Sequence, residues 1–170
     1  MFGTTLTLEP MTEIRLLIRR ATRADAPALG ALGALLWRVH HQWDARRFVA
    51  PSATPETDYS AFLLSQLSDE NAAVFVAERG GVVGYVFASL EPASFKELRA
   101  ACGYIHDVAV LDGERRGGVA TALITTARDW LRGRGMPRVV LWTADANVAG
   151  QQLFDRLGFR RTMIEMTLDL

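Results

Sequence analysis

The chain has 170 residues, 49% of them hydrophobic, and its 19 basic and 19 acidic residues cancel to a formal net charge of zero. These values describe one domain of ordinary size with a core of its own; they exclude disorder and give no bulk electrostatic reason to bind nucleic acid or a membrane surface. No apolar run approaches the ~20 residues of a membrane span, and the lone cysteine, Cys102, rules out an internal disulfide and a multi-cysteine zinc site.

Residues 1–14 read as a loose N-terminal extension, and residues 15–170 as a single domain. The first thirteen residues lack a basic start followed by an apolar stretch, so no secretory leader is expected and a cytoplasmic setting is the default. Residues 15–20 alternate imperfectly, as a first strand does. Residues 24–42 carry Ala28, Leu29, Leu32, Leu35, Leu36 and Val39 at helical spacing, with Pro27 in the tolerant first turn. Pro51 and Pro55 mark a loop, and residues 57–67 read as a short second helix. Two β-rich runs, 72–77 and 82–90, flank Arg79-Gly80-Gly81, a hairpin signal that makes them antiparallel neighbours. A polar insertion over 91–101 holds at most a helical turn around 95–99. Residues 103–111 form the next strand, 118–132 a helix stopped by Gly133, Gly135 and Pro137, and 139–143 a further strand. Residues 147–157 form a last helix with Gly158 as its C-terminal cap, and 159–168 a final extended segment. Alternation of strand and helix in the second half implies parallel pairing there. The expected architecture is α/β: a mixed, partly parallel central sheet with helices on both faces.

The richest stretch is Val108-Ala109-Val110-Leu111-Asp112-Gly113-Glu114-Arg115-Arg116-Gly117-Gly118-Val119-Ala120. An apolar strand ends in a charged turn, and two glycines open an amphipathic helix. Glycine lets a ligand approach the backbone, and the unpaired N–H groups of a first helical turn favour an anion. Arg115 and Arg116 add forked donors suited to phosphate oxygens. The loop lacks the Gly-Lys-Ser/Thr of a P-loop and the three-glycine dinucleotide fingerprint. A tight strand-to-helix connection without a ligand is the plain alternative.

The pattern Arg115-x-x-Gly118-x-Ala120 behind Val108-Ala109-Val110 resembles the pyrophosphate loop of the GNAT superfamily, the GCN-type N-acetyltransferases. A second motif, Asn147-x-Ala149-x-x-x-Leu153-Phe154-x-x-x-Gly158-Phe159, is similar to the family's Asn-x-x-Ala-x-x-Leu-Tyr-x-x-x-Gly-Phe signature with the alanine one position early. Either Ala149 or Gly150 fills the small-residue position. The order of elements resembles the same fold from Arg15 to Phe159. The resemblance implies a single acyl-CoA N-acyltransferase domain over 15–170, GNAT-like in fold, with acetyl-CoA as co-substrate and no metal. Backbone amides of Arg116, Gly117, Gly118, Val119, Ala120 and Thr121 would hold the pyrophosphate. Main-chain groups of Val108, Ala109 and Val110 would pair with the pantetheine arm, and the strand starting near Arg138 would splay away from them to admit the thioester. Asn147 would hydrogen-bond the pantetheine, or serve as a plain helix N-cap, or both.

Acetyl transfer asks for a base, an oxyanion donor and a proton for the departing thiolate. His106 and Asp107 stand just before the expected opening, with His106 nearer a useful pKa. Strand alternation puts His106 on the face of Val108 and Val110, and Asp107 on the face of Ile105 and Ala109, so only one enters the cleft unless a bulge intervenes. The Val108 amide is the oxyanion candidate. The family's tyrosine is here Phe154, which has no hydroxyl; water then protonates the thiolate, or the domain is a catalytically silent acyl-CoA-binding sensor. Tyr104 is a distant substitute.

The acceptor, a primary amine of a small molecule or an exposed chain end, would meet the first two helices and their connection. Trp43, Asp44 and Phe48 could line its pocket beside His106, with Asp44 attracting a cation; a solvated helix end is the plain alternative. Trp37, at helical spacing from Leu36 and His40, reads as core, with a ligand wall as the alternative. His40 and His41 are adjacent and cannot share a helix face as a zinc pair would. Only twelve residues follow Gly158, enough for one strand, and residues 163–168 are expected to pair at a homodimer interface.

Overall fold

Five strands form one sheet in the order β1-β2-β3-β4-β5 in the computed structural model, which describes residues 14–170. The expected N-terminal extension lies, apart from Ile14, outside the described residues. The strands are β1 Leu17–Arg20, β2 Ala72–Glu78, β3 Val82–Glu91, β4 Cys102–Val110 and β5 Val139–Leu141; the helices are α1 Ala26–Trp43, α2 Pro55–Gln66, α3 Val119–Gly133 and α4 Val148–Arg156. β1 to β4 are antiparallel neighbours and β4 and β5 run parallel, so the sheet is mixed.

The period of two along the strands sorts the core onto two faces. Val74, Val76, Tyr85 and Phe87 pack under Leu29 and Leu32 of α1 and Leu63 of α2. Phe75, Ala77, Val86 and Ala88 pack against Leu123, Ala127 and Leu131 of α3, with Leu153 and Phe154 of α4 beside them. Helices cover both faces, as the sequence predicts.

Three expectations need correction. Pro55 does not break the chain; it is the first residue of α2, where its missing N–H costs nothing. The strand expected over 139–143 stops at Leu141, because beyond it β5 leaves β4. Residues 159–170 form no strand: Met163, Ile164, Met166 and Leu168 are each more than four-fifths exposed. Glycine also does work that periodicity hides. A Cβ on Gly30 would stand 2.3 Å from the Glu56 carbonyl oxygen, and one on Gly33 would stand 2.0 Å from the Tyr59 ring. These two absent side chains let α2 lie close against α1 and seat Tyr59.

Asp25 ties the start of α1 to β1. Its carboxylate accepts two hydrogen bonds from Arg19, both 2.8 Å, and one from the Thr22 N–H at 2.7 Å. The Arg19 guanidinium, with help from Thr22, holds the buried carboxyl down at about 2. A folded-state value below the unfolded one stabilises the fold fully above about pH 4, and the benefit fades as pH falls through the folded value. Asp25→Asn should therefore cost about 2 kcal/mol at pH 7 in urea melts and flatten the stability loss between about pH 4 and 2; an unaltered acid profile would remove Asp25 from this role.

Candidate functional site

β4 and β5 pair only from Gly103↔Val139 to Ile105↔Leu141. Past that point they splay, as expected, and Val108, Ala109 and Val110 have no strand on their β5 side. A cavity of about 510 Å³ opens through the gap. Ile105, Val108, Leu141, Thr143, Asn147 and Phe154 line one side of it, and Leu36, Trp37, His40, Phe48, Asp58, Tyr59 and Phe62 the other, with His106 and Asp107 between.

A bulge decides what faces the cavity. Phe87 pairs with Asp107 and Ala88 with Ile105, so His106 has no partner of its own on β3. Bulges re-aim side chains in this way beside functional sites. The expected face assignment is thus wrong in its pairing. Ile105 joins Val108 and Val110 on the α3 face, whereas Asp107 and Ala109 point toward α1 and α2. His106 joins them there, stacked between Phe87 and Tyr104 with ring centroids 4.6 Å from each. Both candidates therefore enter the same cleft.

Their partners differ. Asp107 Oδ2 accepts from the Tyr59 hydroxyl at 2.8 Å and the Tyr85 hydroxyl at 3.1 Å. Among the described residues no buried side-chain oxygen or nitrogen lacks a partner, so Oδ1, which has none, is open to the cavity. Burial pushes the Asp107 carboxyl up, with the two phenols opposing it. Burial likewise raises both phenols, and the Asp107 charge adds to the effect. His106 Nε2 lies 2.7 Å from Ser89 Oγ, which also stands 2.7 Å from Glu91 Oε1. An ionised carboxylate can only accept, so the single Ser89 proton goes to Glu91 and Ser89 Oγ must accept from His106. That order puts hydrogen on Nε2 and leaves the Nδ1 lone pair free of any partner among the described residues. Burial lowers the imidazole pKa, with Asp107 and then Glu91 pulling the other way.

The glycine turn is open. Gly118 is the N-cap of α3 at φ +78°, and a Cβ there would meet nothing within 4 Å. Arg116 also adopts positive φ, 65°. From residue 116 to residue 121 no backbone N–H donates to an acceptor among the described residues. A run of bare donors at the positive end of α3 fits a pyrophosphate. The arginines divide: Arg115 is engaged with Asp112 at 2.9 Å and with the Val110 carbonyl at 3.4 Å. Arg79 braces the loop through Glu114 at 2.7 Å.

Asn147 caps α4, accepting from the Gly150 N–H at 3.0 Å, while its Nδ2 donates to Thr143 Oγ1 at 3.1 Å. One N–H of the amide remains for a ligand. A Cβ on Gly150 would stand 2.3 Å from Asn147 Nδ2, so the bare Gly150 leaves room for the Asn147 cap. Phe154 reaches the cavity with a bare ring.

Of the three residues expected to line an acceptor pocket, Phe48 lies on the cavity wall. Trp43 instead packs on His40, centroids 5.0 Å apart, and Asp44 closes a turn by accepting from the N–H groups of Arg46 and Arg47 at 3.0 and 3.1 Å. Neither lies on the cavity wall. Trp37 does, which corrects its reading as core; its Nε1 donates to the Val49 carbonyl at 2.9 Å. Ser89, Glu91, Tyr59 and Tyr85 went unread because nothing local marks them; each matters only through a contact the fold makes. Among the described residues no three His, Cys, Asp or Glu side chains gather as a metal site, and no helix is long and apolar enough to cross a membrane.

Comparison with known proteins agrees with this geometry. Residues 37–159 match the family model described as Acetyltransferase (GNAT) family. A mycothiol acetyltransferase of Thermobispora bispora is 32% identical over 96 residues, which are 56% of this chain and 32% of that protein. The human N-acetyltransferase 8B is 33% identical over 138 residues, 79% of this chain and 57% of that one. The chain thus spans from about a third to little more than half of these relatives. The solved aminoglycoside N-acetyltransferase AAC(6')-Iy, in complex with CoA, superposes with a TM-score of 0.71 at 19% identity, covering 96% of this chain and 99% of that one.

Proposed function

The chain belongs to the acetyltransferase (GNAT) family, and from that premise we propose that it moves an acetyl group from acetyl-CoA to a primary amine of a small molecule by direct attack in a ternary complex. The observation that carries the reading is the bare donor run at the start of α3, one helix away from a splayed β4–β5 gap that holds His106 and Asp107. Amides of Arg116, Gly117, Gly118, Val119, Ala120 and Thr121 bind the pyrophosphate, and the Arg116 guanidinium, which has no partner among the described residues, adds to them. Val108, Ala109 and Val110 offer the pantetheine an unpaired strand edge, and Asn147 its remaining N–H.

Asp107 Oδ1 receives the incoming ammonium, and His106 Nδ1 takes the proton that the amine must lose. Neutral imidazole is the working form, and burial favours it at pH 7. Ser89 and Glu91 are positioning residues that hold the tautomer through Nε2. As the new N–C bond forms, the Val108 amide stabilises the thioester oxygen; the C–S bond breaks, and the second proton of the attacking nitrogen passes through water to the departing thiolate, since Phe154 offers none.

Release of free CoA thiol when the protein, acetyl-CoA and an amine panel are combined tests this directly. CoA binding without thiol release from any amine would instead favour the silent acyl-CoA-binding module, the reading Phe154 supports.

The C-terminal tail supports a homodimer. Glu165 pairs with Arg47 and Asp169 with Arg46, so the polar positions are held within the chain. Ile164, Met166 and Leu168, alternating with them, are left bare. A tail that holds its polar side chains to its own chain and leaves its apolar ones bare calls for a second copy to cover them. Light scattering after size exclusion should give twice the chain mass at micromolar concentration; a monomer would reject the dimer.

A further inference from the structure

The wall of the cavity opposite the CoA gap is aromatic and contains no positive side chain of a lysine or arginine. The chain has 19 such residues, yet none lines the cavity. The rings form a continuous series from α1 to His106: Trp37 to Tyr59 at 6.4 Å, Tyr59 to Phe62 at 5.8 Å, Phe62 to Phe87 at 5.7 Å and Phe87 to His106 at 4.6 Å. Two carboxylates accompany them. Asp58 stands exposed, held by Ser52 at 2.5 Å, and Asp107 presents its open Oδ1 beside His106.

Building on the acetyl-transfer reading above, we infer that the acceptor is a monoamine carried on an aromatic or apolar body, of the arylalkylamine kind, and not an amino acid or a polyhydroxylated polycation. Trp37, Tyr59 and Phe62, the rings of the series on the cavity wall beside His106, take the body through apolar burial and ring-edge contacts. Asp58 meets the ammonium on entry, and Asp107 receives it next to the base. An acceptor carboxylate would face two like charges with no lysine or arginine to meet it, which costs binding. An aminoglycoside would lay many hydroxyls against rings that cannot hydrogen-bond them, leaving buried polar groups unpaired. The about 510 Å³ available must also take the thioester end of the co-substrate, which favours one ring over several.

Four amines separate the alternatives: 2-phenylethylamine, ethylamine, phenylalanine and kanamycin. In thiol-release kinetics, 2-phenylethylamine should exceed ethylamine in kcat/KM by about tenfold or more, from ring burial. It should exceed phenylalanine, which adds only the carboxylate, by about a hundredfold. Trp37→Leu should raise KM for 2-phenylethylamine several-fold and leave the KM values of ethylamine and acetyl-CoA in place. Titration calorimetry of the same amines into CoA-saturated protein reads occupancy without chemistry. Should no amine be acetylated, the transfer reading fails, while the calorimetric order still decides the occupant. Equal or better use of phenylalanine or kanamycin, or calorimetry in which 2-phenylethylamine does not bind most tightly, overturns the inference.

Discussion

Gly118→Asp should abolish CoA binding while the fold survives. The Cβ would enter open space, so volume is not the objection. Backbone conformation is a minor one: φ of +78° disfavours any side chain by about 1 kcal/mol, and asparagine and aspartate tolerate it best. Charge is the decisive term. A carboxylate at the N-cap of α3 would sit among the donors of residues 116–121 and place a negative group where the pyrophosphate belongs. Gly118→Asn has nearly the same size and the same backbone demand without the charge. In calorimetric titrations with CoA, the aspartate variant should lose more than about 100-fold in affinity, close to 3 kcal/mol, while asparagine loses less than about tenfold. Thermal melts should place the two variants together. If the aspartate variant binds CoA as the asparagine variant does, the pyrophosphate lies elsewhere.

That loop was readable from sequence because its chemistry is local. Gly118, the strand before it and the helix after it are consecutive, and the anion preference of a helix start needs no distant partner. The same holds for Gly158, whose φ of +87° ends α4 where the sequence predicts a cap. The cleft resisted for the opposite reason. Whether His106 and Asp107 share a face depends on the β3–β4 register, and one unpaired residue reverses the alternation. Sequence spacing carries no sign of that bulge. Tyr59 reaches Asp107 only because Gly33 makes room on α1, a contact between residues on three separate elements. Asp44 illustrates the converse error: an acidic residue near an acceptor region is equally a turn closer, and the N–H groups of Arg46 and Arg47 were its nearest donors all along. Local signals marked the anion site at the start of α3, and long-range register arranged the cleft around His106 and Asp107.

The sharpest chemical test separates His106 as base from Asp107. His106→Ala removes the Nδ1 lone pair and should lower kcat by about 10²- to 10⁴-fold, the range of general-base catalysis. KM for acetyl-CoA should hold, because the donors at α3 are untouched. The pH profile carries more information than the rate. A base that works when neutral gives a rate rising with pH, with a midpoint at its own pKa. Burial sets His106 below its ordinary value of about 6.5, so kcat should already be near its plateau at pH 7 and fall on the acid side. His106→Ala should erase that acid limb. Ser89→Ala should keep the limb but shift it to lower pH, because imidazolium loses an acceptor at Nε2, and lower kcat about tenfold as the tautomer loosens. A carboxylate base would behave otherwise: with Asp107 in that role, Ser89→Ala would leave both the rate and the limb in place. An unshifted acid limb in both variants would acquit His106, and pass the role to Asp107 with its open Oδ1.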